Sequence, residues 1–406
     1  MIRVHNRVLL LLLAIGLAAA FGLAFVAHAP NRLVPGTGIS LFAVVASQQG
    51  VVLAWTLIAT LAPALLLLVA AFLPRRAWLS ATCALASSVL LLALVWLAAN
   101  HAQLLAQPLT GASPDLSPGI GRTSFGGAFW ILAALVWLAA ADAIASLGLP
   151  PAVRLLATTA VVAPIAVCMA SGLTAELSLF REYANRQDVF NAALLQHVRI
   201  VLASLLPSLL IGVPLGIASL HEGERMQAFK PYLFGSLNLV QTIPSVALFG
   251  LLMVPLALLA RAVPVLSDWG VHGIGMAPAV VALSLYSLLP IVRSTAAGLG
   301  QVPEAVVTAA LGMGMRPAQI FWQVKVPLAL PALLSGLRVA TVQTIGLAMV
   351  AALIGAGGFG AIMFQGLQGG ALDLVLLGVA PVVLMAVVVD AVLTAVAAAL
   401  TPKARP

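Results

Sequence analysis

The sequence predicts an all-α, polytopic membrane protein with about ten transmembrane helices. Apolar residues make up 63% of the 406 positions, charged residues only 7%, and the mean hydropathy is +1.15. Soluble domains carry about 25% charged residues, so this chain cannot solvate a globular surface. Its apolar windows are continuous instead of alternating, which favours helices over a β-barrel, the other structure that spans a bilayer.

Each window reaches roughly the 20 apolar residues that a spanning helix needs. The first window resembles a signal peptide, but its apolar run is too long for one, so we expect an uncleaved first span. The window at 233–260 contains Pro244 and Pro255, and we expect it to tilt or break there. The predicted spans are 8–27, 50–73, 77–99, 128–148, 153–172, 199–220, 233–260, 276–292, 328–354 and 373–400.

The net charge of +8 does not indicate a nucleic-acid partner, because the basic residues form no long cluster and sit mostly at span ends. With ten spans these residues fall on one side of the membrane, which the positive-inside rule identifies as the cytoplasm. We therefore expect both termini to be cytoplasmic. The residues are Arg3, Arg7, Arg75, Arg76, Arg154, Arg225, Lys230, Arg293, Arg316, Lys325, Lys403 and Arg405.

Composition divides the chain into three segments. Residues 1–173 hold five simple spans and one polar loop at 100–127. Residues 174–198 concentrate charge, and their second half has apolar residues near helical spacing, which predicts an amphipathic linker on the outer surface. Residues 199–400 hold five further spans joined by structured loops.

A helix–turn–helix pattern occupies residues 302–323, which we call the elbow. Residues 304–311 favour a helix, Gly312 and Gly314 end it, and Pro317 can open a second helix. An ordered cytoplasmic elbow between two spans predicts a helix that docks in a partner's groove. The alternative is an ordinary connection between spans. The second helix would carry an apolar face formed by Ala318, Phe321 and Trp322.

The run GMGMRPAQIFWQVKVPLALPALLSGLRVATVQTIGLAMVAALIGAGGFG (312–360) resembles the permease subunits of binding-protein-dependent ABC importers. It is most similar to the quaternary-amine branch, which carries glycine betaine, choline and carnitine. Three upstream runs resemble the same branch, so the likeness covers about residues 190–400, roughly half the chain. They are QHVRIVLASLLPSLLIGVPLGI (196–217), QTIPSVALFGLL (241–252) and LYSLLPIVRSTAAGL (285–299).

The resemblance implies a type I ABC-importer permease core in residues 199–400, in the inner membrane of a bacterium. It implies an ABC ATPase, a second permease subunit (identical or homologous) and a periplasmic or lipid-anchored substrate-binding protein as partners. The five N-terminal spans resemble an extra membrane segment found in a minority of the family. The chain contains no G-x-x-x-x-G-K-[ST], so ATP and Mg should bind to the ATPase. We expect no catalytic residue, metal or cofactor on this chain, which is not predicted to be an enzyme.

The elbow departs from the family's cytoplasmic motif of Glu-Ala-Ala, three free positions and Gly. Aligning that Gly with Gly314 places Thr308 at the position of the Glu. Glu304 lies one turn earlier on the same helical face, so it either supplies the missing charge or the contact is weaker. The resemblance assigns ATPase coupling to Glu304, Thr308, Ala309, Ala310, Gly312, Gly314, Arg316 and Ile320.

Residues 355–360, GAGGFG, match the dinucleotide pattern G-x-G-x-x-G. That fingerprint needs a preceding strand and a following acid, whereas this one follows an apolar span. We interpret it as a glycine-rich re-entrant turn that lets helices pack closely.

Two charges fall inside predicted spans. Arg338 and Asp390 lie at similar depth in antiparallel spans, and intramembrane charges are costly unless paired. We predict that they form an ion pair. The alternative is that each side chain snorkels to the membrane surface.

Four polar side chains in core spans could line the translocation path: Gln241, Thr242, Ser245 and Tyr286. The alternative is that some of them only form hydrogen bonds between helices. Quaternary amines favour aromatic cages, which fit a separate binding protein better than this chain.

The sequence leaves three competing functions. A secondary transporter would need an ion site, and a membrane-embedded enzyme would need a catalytic set, yet buried acids are few and the six histidines are scattered. An ABC permease for another small solute, such as methionine or an oxyanion, has the same architecture. The function predicted from the resemblance is import of glycine betaine or a related osmoprotectant.

Overall fold

The computed structural model describes residues 4–30, 36–106, 121–221 and 223–400. The chain divides into two compact units, Met1–Asn185 and Arg186–Pro406. Arg3, Lys403, Arg405 and half of the polar loop predicted at 100–127 lie outside the described residues.

Unit 1 combines membrane-length helices with a small sheet. Its elements are α1 (Arg7–Gly22), β1 (Ala24–Ala29), β2 (Thr37–Ser40), α2 (Leu41–Ala46), α3 (Gly50–Ala70), α4 (Ala77–Ala106), β3 (Arg122–Phe125), α5 (Gly127–Ser146), α6 (Pro151–Ala170) and α7 (Ser178–Asn185).

Within its described residues, unit 2 consists of helices joined by turns and has no strand. Its elements are α8 (Gln187–Ala218), α9 (Glu224–Thr242), α10 (Ser245–Ala262), α11 (Pro264–Asp268), α12 (Met276–Gly300), α13 (Glu304–Gly312), α14 (Pro317–Gln319), a π-helical turn (Ile320–Lys325), α15 (Val326–Val350), a 3-10 turn (Ala351–Ile354), α16 (Phe359–Gln368) and α17 (Leu372–Leu400).

Nine helices within the described ranges are long and apolar enough to cross a membrane, which confirms the predicted fold class. One predicted span needs correction, and another breaks at a proline where a tilt or break was expected. The span at 8–27 is wrong at its end, because α1 stops at Gly22 after 16 residues and the chain enters a strand. The span at 233–260 is broken between Thr242 and Ser245, because Pro244 has no N–H to continue the helix.

The sheet of unit 1 was not predicted. Its strand order is β2-β1-β3, both pairs are antiparallel, and Val26 lies opposite Phe125. Phe25 and Val26 are fully buried, and the Phe125 and Phe129 rings stack with centroids 3.9 Å apart. An ion pair from Arg122 to the buried Glu182 ties β3 to α7. The sheet therefore joins the end of α1 to the start of α5.

Polar contacts at the opposite end of α1 fix its first turn. The Asn6 side chain accepts a hydrogen bond from the Leu9 N–H at 3.0 Å and donates one to Asp142 at 3.0 Å. Arg75 donates to both oxygens of the same carboxylate, at 3.0 and 3.1 Å. One carboxylate on α5 thus holds both the cap of α1 and the connection between α3 and α4.

The predicted linker at 174–198 is not a separate segment. Residues 178–185 form α7 of unit 1, and residues 187–218 form one continuous helix of 32 residues, about 48 Å long. The charges that marked a boundary lie on both sides of a single break at residues 185 and 186. The segment 187–198 is the first part of α8 instead of a helix along the outer surface.

Small residues set the packing of unit 2 around α12. An added Cβ at Gly216 of α8 would lie 2.5 Å from the Thr295 Cβ, and one at Gly298 would lie 2.9 Å from the Ala332 Cβ of α15. Ser287 and Thr344 share a buried hydrogen bond of 2.7 Å between the same two helices, α12 and α15. Membrane helices lack a hydrophobic force between them and rely on such close backbone contact.

We predict that Gly216→Ala destabilises unit 2 by about 1–3 kcal/mol, because the new methyl group overpacks the contact with Thr295. Gly346→Ala is the matched control, since its methyl group meets nothing within 4 Å on α15. Thermal unfolding in detergent should show a lower midpoint for the first variant and an unchanged or higher midpoint for the second. Equal midpoints for the two variants would contradict the packing argument.

Candidate coupling and translocation sites

The first arm of the elbow is α13, and it ends in a glycine turn. Gly314 adopts a left-handed conformation with φ of +80°, which only glycine takes up without strain. The N–H groups of Gly314 and Met315 donate to the carbonyls of Leu311 and Ala310, at 2.9 and 3.2 Å. These bonds satisfy carbonyls that the end of α13 would otherwise leave unpaired. Gly312 is the last residue of α13 and has an ordinary φ.

The second arm leads directly into a membrane helix. Pro317 occupies the first turn of α14, as predicted, and the Arg316 N–H donates to the Gln319 side chain at 2.8 Å. Residues 320–325 widen into a π-helical turn, in which the Val326 N–H reaches the Phe321 carbonyl. The helix continues through Pro327, which has no N–H for an α-helical bond. Helical structure therefore runs without interruption from the elbow to Ile354.

The residues assigned to coupling separate into two groups. Ala310 and Ile320 are buried, with 2% and 4% of their surfaces exposed, so they pack the elbow against unit 2. The other six are exposed and form its outer face: Glu304, Thr308, Ala309, Gly312, Gly314 and Arg316.

The predicted apolar face of the second arm points outward, where a partner's groove could receive it. Ala318 is exposed and Trp322 is 68% exposed, whereas Ile320 points inward. The apolar outer surface of the elbow also includes Leu311 and Met313, and Met313 is 75% exposed. The sequence pattern did not single out these two residues.

Two of the predicted path residues meet at the break between α9 and α10. The Tyr286 hydroxyl of α12 donates to the Ile243 carbonyl, next to Pro244. The Gln241 amide donates to the Tyr286 carbonyl at 2.6 Å. In an α-helix that carbonyl would accept the N–H of residue 290, which is a proline. Gln241 thus satisfies a carbonyl that Pro290 has left without its helical partner, and Tyr286 satisfies a carbonyl in the extended backbone at the helix break.

The other two predicted path residues are not part of this network. The Thr242 hydroxyl donates to the Leu239 carbonyl of its own helix at 2.7 Å. Ser245 is half-buried at the start of α10. Tyr286 is 4% exposed, so the structure places it between helices rather than on a cavity surface.

The structure brings Arg338 of α15 and Asp390 of α17 together. The guanidinium Nε donates to one carboxylate oxygen, and Nη2 donates to the other at 2.8 Å. Such two-point pairing fixes orientation as well as distance. Each charge thereby has its counter-charge within the chain.

Residues 355–360 form a re-entrant turn. Gly355, Gly357 and Gly358 all have positive φ, between +73° and +81°. A Cβ on Gly360 would run into the Met349 carbonyl oxygen of α15, so the chain folds back along the helix that it has just left. A 3-10 turn precedes the motif where a dinucleotide site needs a strand. The turn serves close packing, and no three His, Cys, Asp or Glu side chains in the described residues lie together as a metal site requires.

We predict that Gln241→Met costs about 1–3 kcal/mol of unfolding free energy, because it leaves the Tyr286 carbonyl buried without a donor. In a Pro290→Ala background residue 290 can donate to that carbonyl, so the same change should cost clearly less. Thermal unfolding of the four proteins of this cycle measures the coupling. An identical loss of unfolding free energy in both backgrounds would refute the idea that the Gln241 side chain replaces the N–H that Pro290 lacks.

We predict that Asp390→Ala alone harms assembly more than Arg338→Ala combined with Asp390→Ala, because the single change leaves a cation unpaired in the membrane. The amount of monodisperse protein extracted in mild detergent measures assembly. Asp390→Glu keeps the charge and serves as the control. Equal damage in the single and double variants would count against the pair.

Comparison with known proteins gives a family match for each unit of the structure. Residues 212–406 match the family described as "Binding-protein-dependent transport system inner membrane component". Residues 5–180 match the description "ABC transporter permease YehY, N-terminal domain". The two matches fall on the two units of the structure.

Three relatives align with about half of this chain. The osmoprotectant import permease protein OsmW of Salmonella typhimurium is 39% identical over 212 residues, 51% of this chain and 90% of that protein. The choline transport system permease protein OpuBB of Bacillus subtilis is 36% identical and covers 51% and 86%. The glycine betaine/carnitine/choline transport system permease protein OpuCB of Bacillus subtilis is 35% identical and covers 51% and 87%. The chain belongs to the binding-protein-dependent inner membrane components, the permease subunits of ABC transporters.

Proposed function

We propose that this chain is the permease subunit of an ATP-driven importer for glycine betaine or a related osmoprotectant such as choline. The observation that carries the proposal is its 35–39% identity, along 86–90% of their lengths, to permeases named for osmoprotectants, choline, glycine betaine and carnitine. The elbow, the broken helix and the paired charges fit a moving membrane subunit. The chain itself performs no covalent step.

Coupling would begin at the outer face of the elbow. A separate ABC ATPase would bind ATP and Mg and receive this face in a groove. The exposed apolar residues Leu311, Met313 and Trp322 would fill that groove, with Glu304 one turn before Thr308 as the acidic group. Because helical structure continues from Pro317 to Ile354, displacement of the elbow would move α15 as well.

Movement of α15 would reach the rest of unit 2 through specific contacts. The pair of Arg338 and Asp390 links α15 to α17, and the Ser287–Thr344 bond links it to α12. Tyr286 of α12 in turn holds the break between α9 and α10. Together with the same elements of a second permease subunit, these would open a central path alternately outward and inward.

The remaining partners follow from the same proposal. A periplasmic or lipid-anchored binding protein would capture the substrate, with aromatic side chains around its quaternary ammonium group. The elbow and both termini would lie in the cytoplasm, and the chain would sit in the inner membrane of a bacterium.

The test is reconstitution of this permease with its ATPase and binding protein in liposomes. We expect uptake of radiolabelled glycine betaine or choline that requires ATP and the binding protein and persists with a protonophore. Methionine and phosphate serve as alternative solutes. ATP-dependent uptake of either of these alone would overturn the substrate class, and uptake without the ATPase would overturn the mechanism.

We predict that Met313→Asp abolishes copurification of the ATPase and ATP-driven uptake, because a charge would enter an apolar docking surface. Met313 is 75% exposed, so the change removes little packing within the chain. Leu372→Asp is the matched control, since Leu372 is also 75% exposed but follows α16, beyond the opposite end of α15. Deletion of 304–320 should likewise abolish uptake while membrane insertion persists. Normal ATPase association in both Met313→Asp and the deletion would contradict docking at the elbow.

A further inference from the structure

The first turns of α8 lie against the re-entrant turn and α16. Arg186 donates to the Gln365 side chain at 3.1 Å, one residue before α8 begins. One turn further on, the Phe190 ring meets the edge of the Phe359 ring with centroids 5.1 Å apart. Phe359 is fully buried. These contacts occupy the segment that sequence analysis took for a linker.

Two polar residues of α8 continue the contact. The Gln196 amide donates to the Ala356 carbonyl at 3.0 Å. The His197 Nε2 donates to the Ile345 carbonyl of α15 at 3.1 Å, and because a carbonyl only accepts, Nε2 carries the proton. His197 is fully buried, and its ring centroid lies 5.7 Å from that of Phe359.

The glycines of the turn fit closely against these two side chains. A Cβ on Gly357 would lie 3.3 Å from the Gln196 Cγ, and one on Gly358 would lie 3.1 Å from the His197 Nδ1. We call Arg186, Phe190, Gln196 and His197, with the turn and α16, the clasp. Opening it would expose the Ile345 and Ala356 carbonyls among apolar helices, where no water replaces the lost donors.

We propose that His197 is a positioning residue that, with Gln196, keeps the clasp closed through the transport cycle. The first half of α8, the end of α15 and the re-entrant turn would then move as one body. The conformational change would occur elsewhere, at contacts such as the break between α9 and α10. This inference rests on the proposed function, because it assigns these residues a part in ATP-driven import.

The first test compares His197→Gln, whose amide can still donate to the Ile345 carbonyl, with His197→Leu, which cannot. In the reconstituted complex, the amount of solute carried per ATP hydrolysed should fall about tenfold in His197→Leu, because the loss of a buried hydrogen-bond donor changes an equilibrium by about this factor. The same ratio should stay near the wild-type value in His197→Gln. ATP hydrolysis itself should change less than about twofold. Leu195→Met, at an exposed position of the same helix, is the control.

Two results of this test would overturn the role of His197: a wild-type ratio in His197→Leu, or an equally low ratio in His197→Gln. If His197→Leu does not reach the membrane, Gln196→Met removes the other donor of the clasp and takes its place, with the same expected fall. A fall confined to the amount of folded protein, with a normal ratio, would indicate a structural role only and would also overturn the proposal.

The second test needs no solute and stays informative if wild type imports neither amine. A cysteine replaces Ala356, which is 3% exposed, after both buried native cysteines, Cys83 and Cys168, have been changed to alanine. With and without ADP trapped by vanadate on the ATPase, it should react with a membrane-impermeant maleimide about ten or more times more slowly than Leu372→Cys. Adding His197→Leu should speed the reaction. Rapid labelling of Ala356→Cys in either state, or no effect of His197→Leu, would overturn the closed clasp.

Discussion

Unit 2 depends on one constraint: a backbone carbonyl in a membrane must find a donor within the protein. Pro290 removes one such donor and Pro244 interrupts a helix, and side chains from neighbouring helices donate to the carbonyls left open. Tyr286 serves the carbonyl beside Pro244, and Gln241 serves the one that Pro290 leaves open. These replacements are also the contacts that hold α12 to the broken helix. Irregular backbone and tight helix association therefore have the same cause, and a transporter gains bends without unpaired polar groups.

Unit 2 also depends on the close approach of its helices, which glycine and small polar residues permit. At Gly216 and Gly298 the neighbouring helices leave no room for a methyl group, and at Gly360 the backbone of α15 itself occupies that space. Helices this close share hydrogen bonds such as Ser287 to Thr344. Packed contacts of this kind transmit displacement instead of absorbing it. In the proposed mechanism, motion that enters at the elbow would be carried by α15 to α12 and α17.

Much of this architecture could be predicted from the sequence, because its determinants are local. Spanning helices follow from apolar windows, the elbow from Gly314 and Pro317, and the approach of Arg338 and Asp390 from equal depth in antiparallel spans. The sheet of unit 1 could not, because its strands have four to six residues and pair Val26 with Phe125, almost a hundred positions away. Gln241 and Tyr286 look like path residues until the prolines opposite them are placed in space. The π-helical turn at 320–325 could not be predicted either, because an α-helical period does not describe it.

The uninterrupted helical stretch from Pro317 to Ile354 has a mechanical consequence. Its 38 residues form a rod about 57 Å long. Arg338, tied to α17 by two hydrogen bonds, lies close to the middle of that rod. A stiff beam held at its centre swings its two tips in opposite directions. If the ATPase docks at the elbow, a displacement of that tip by a few ångströms would therefore reappear, reversed, at the other tip.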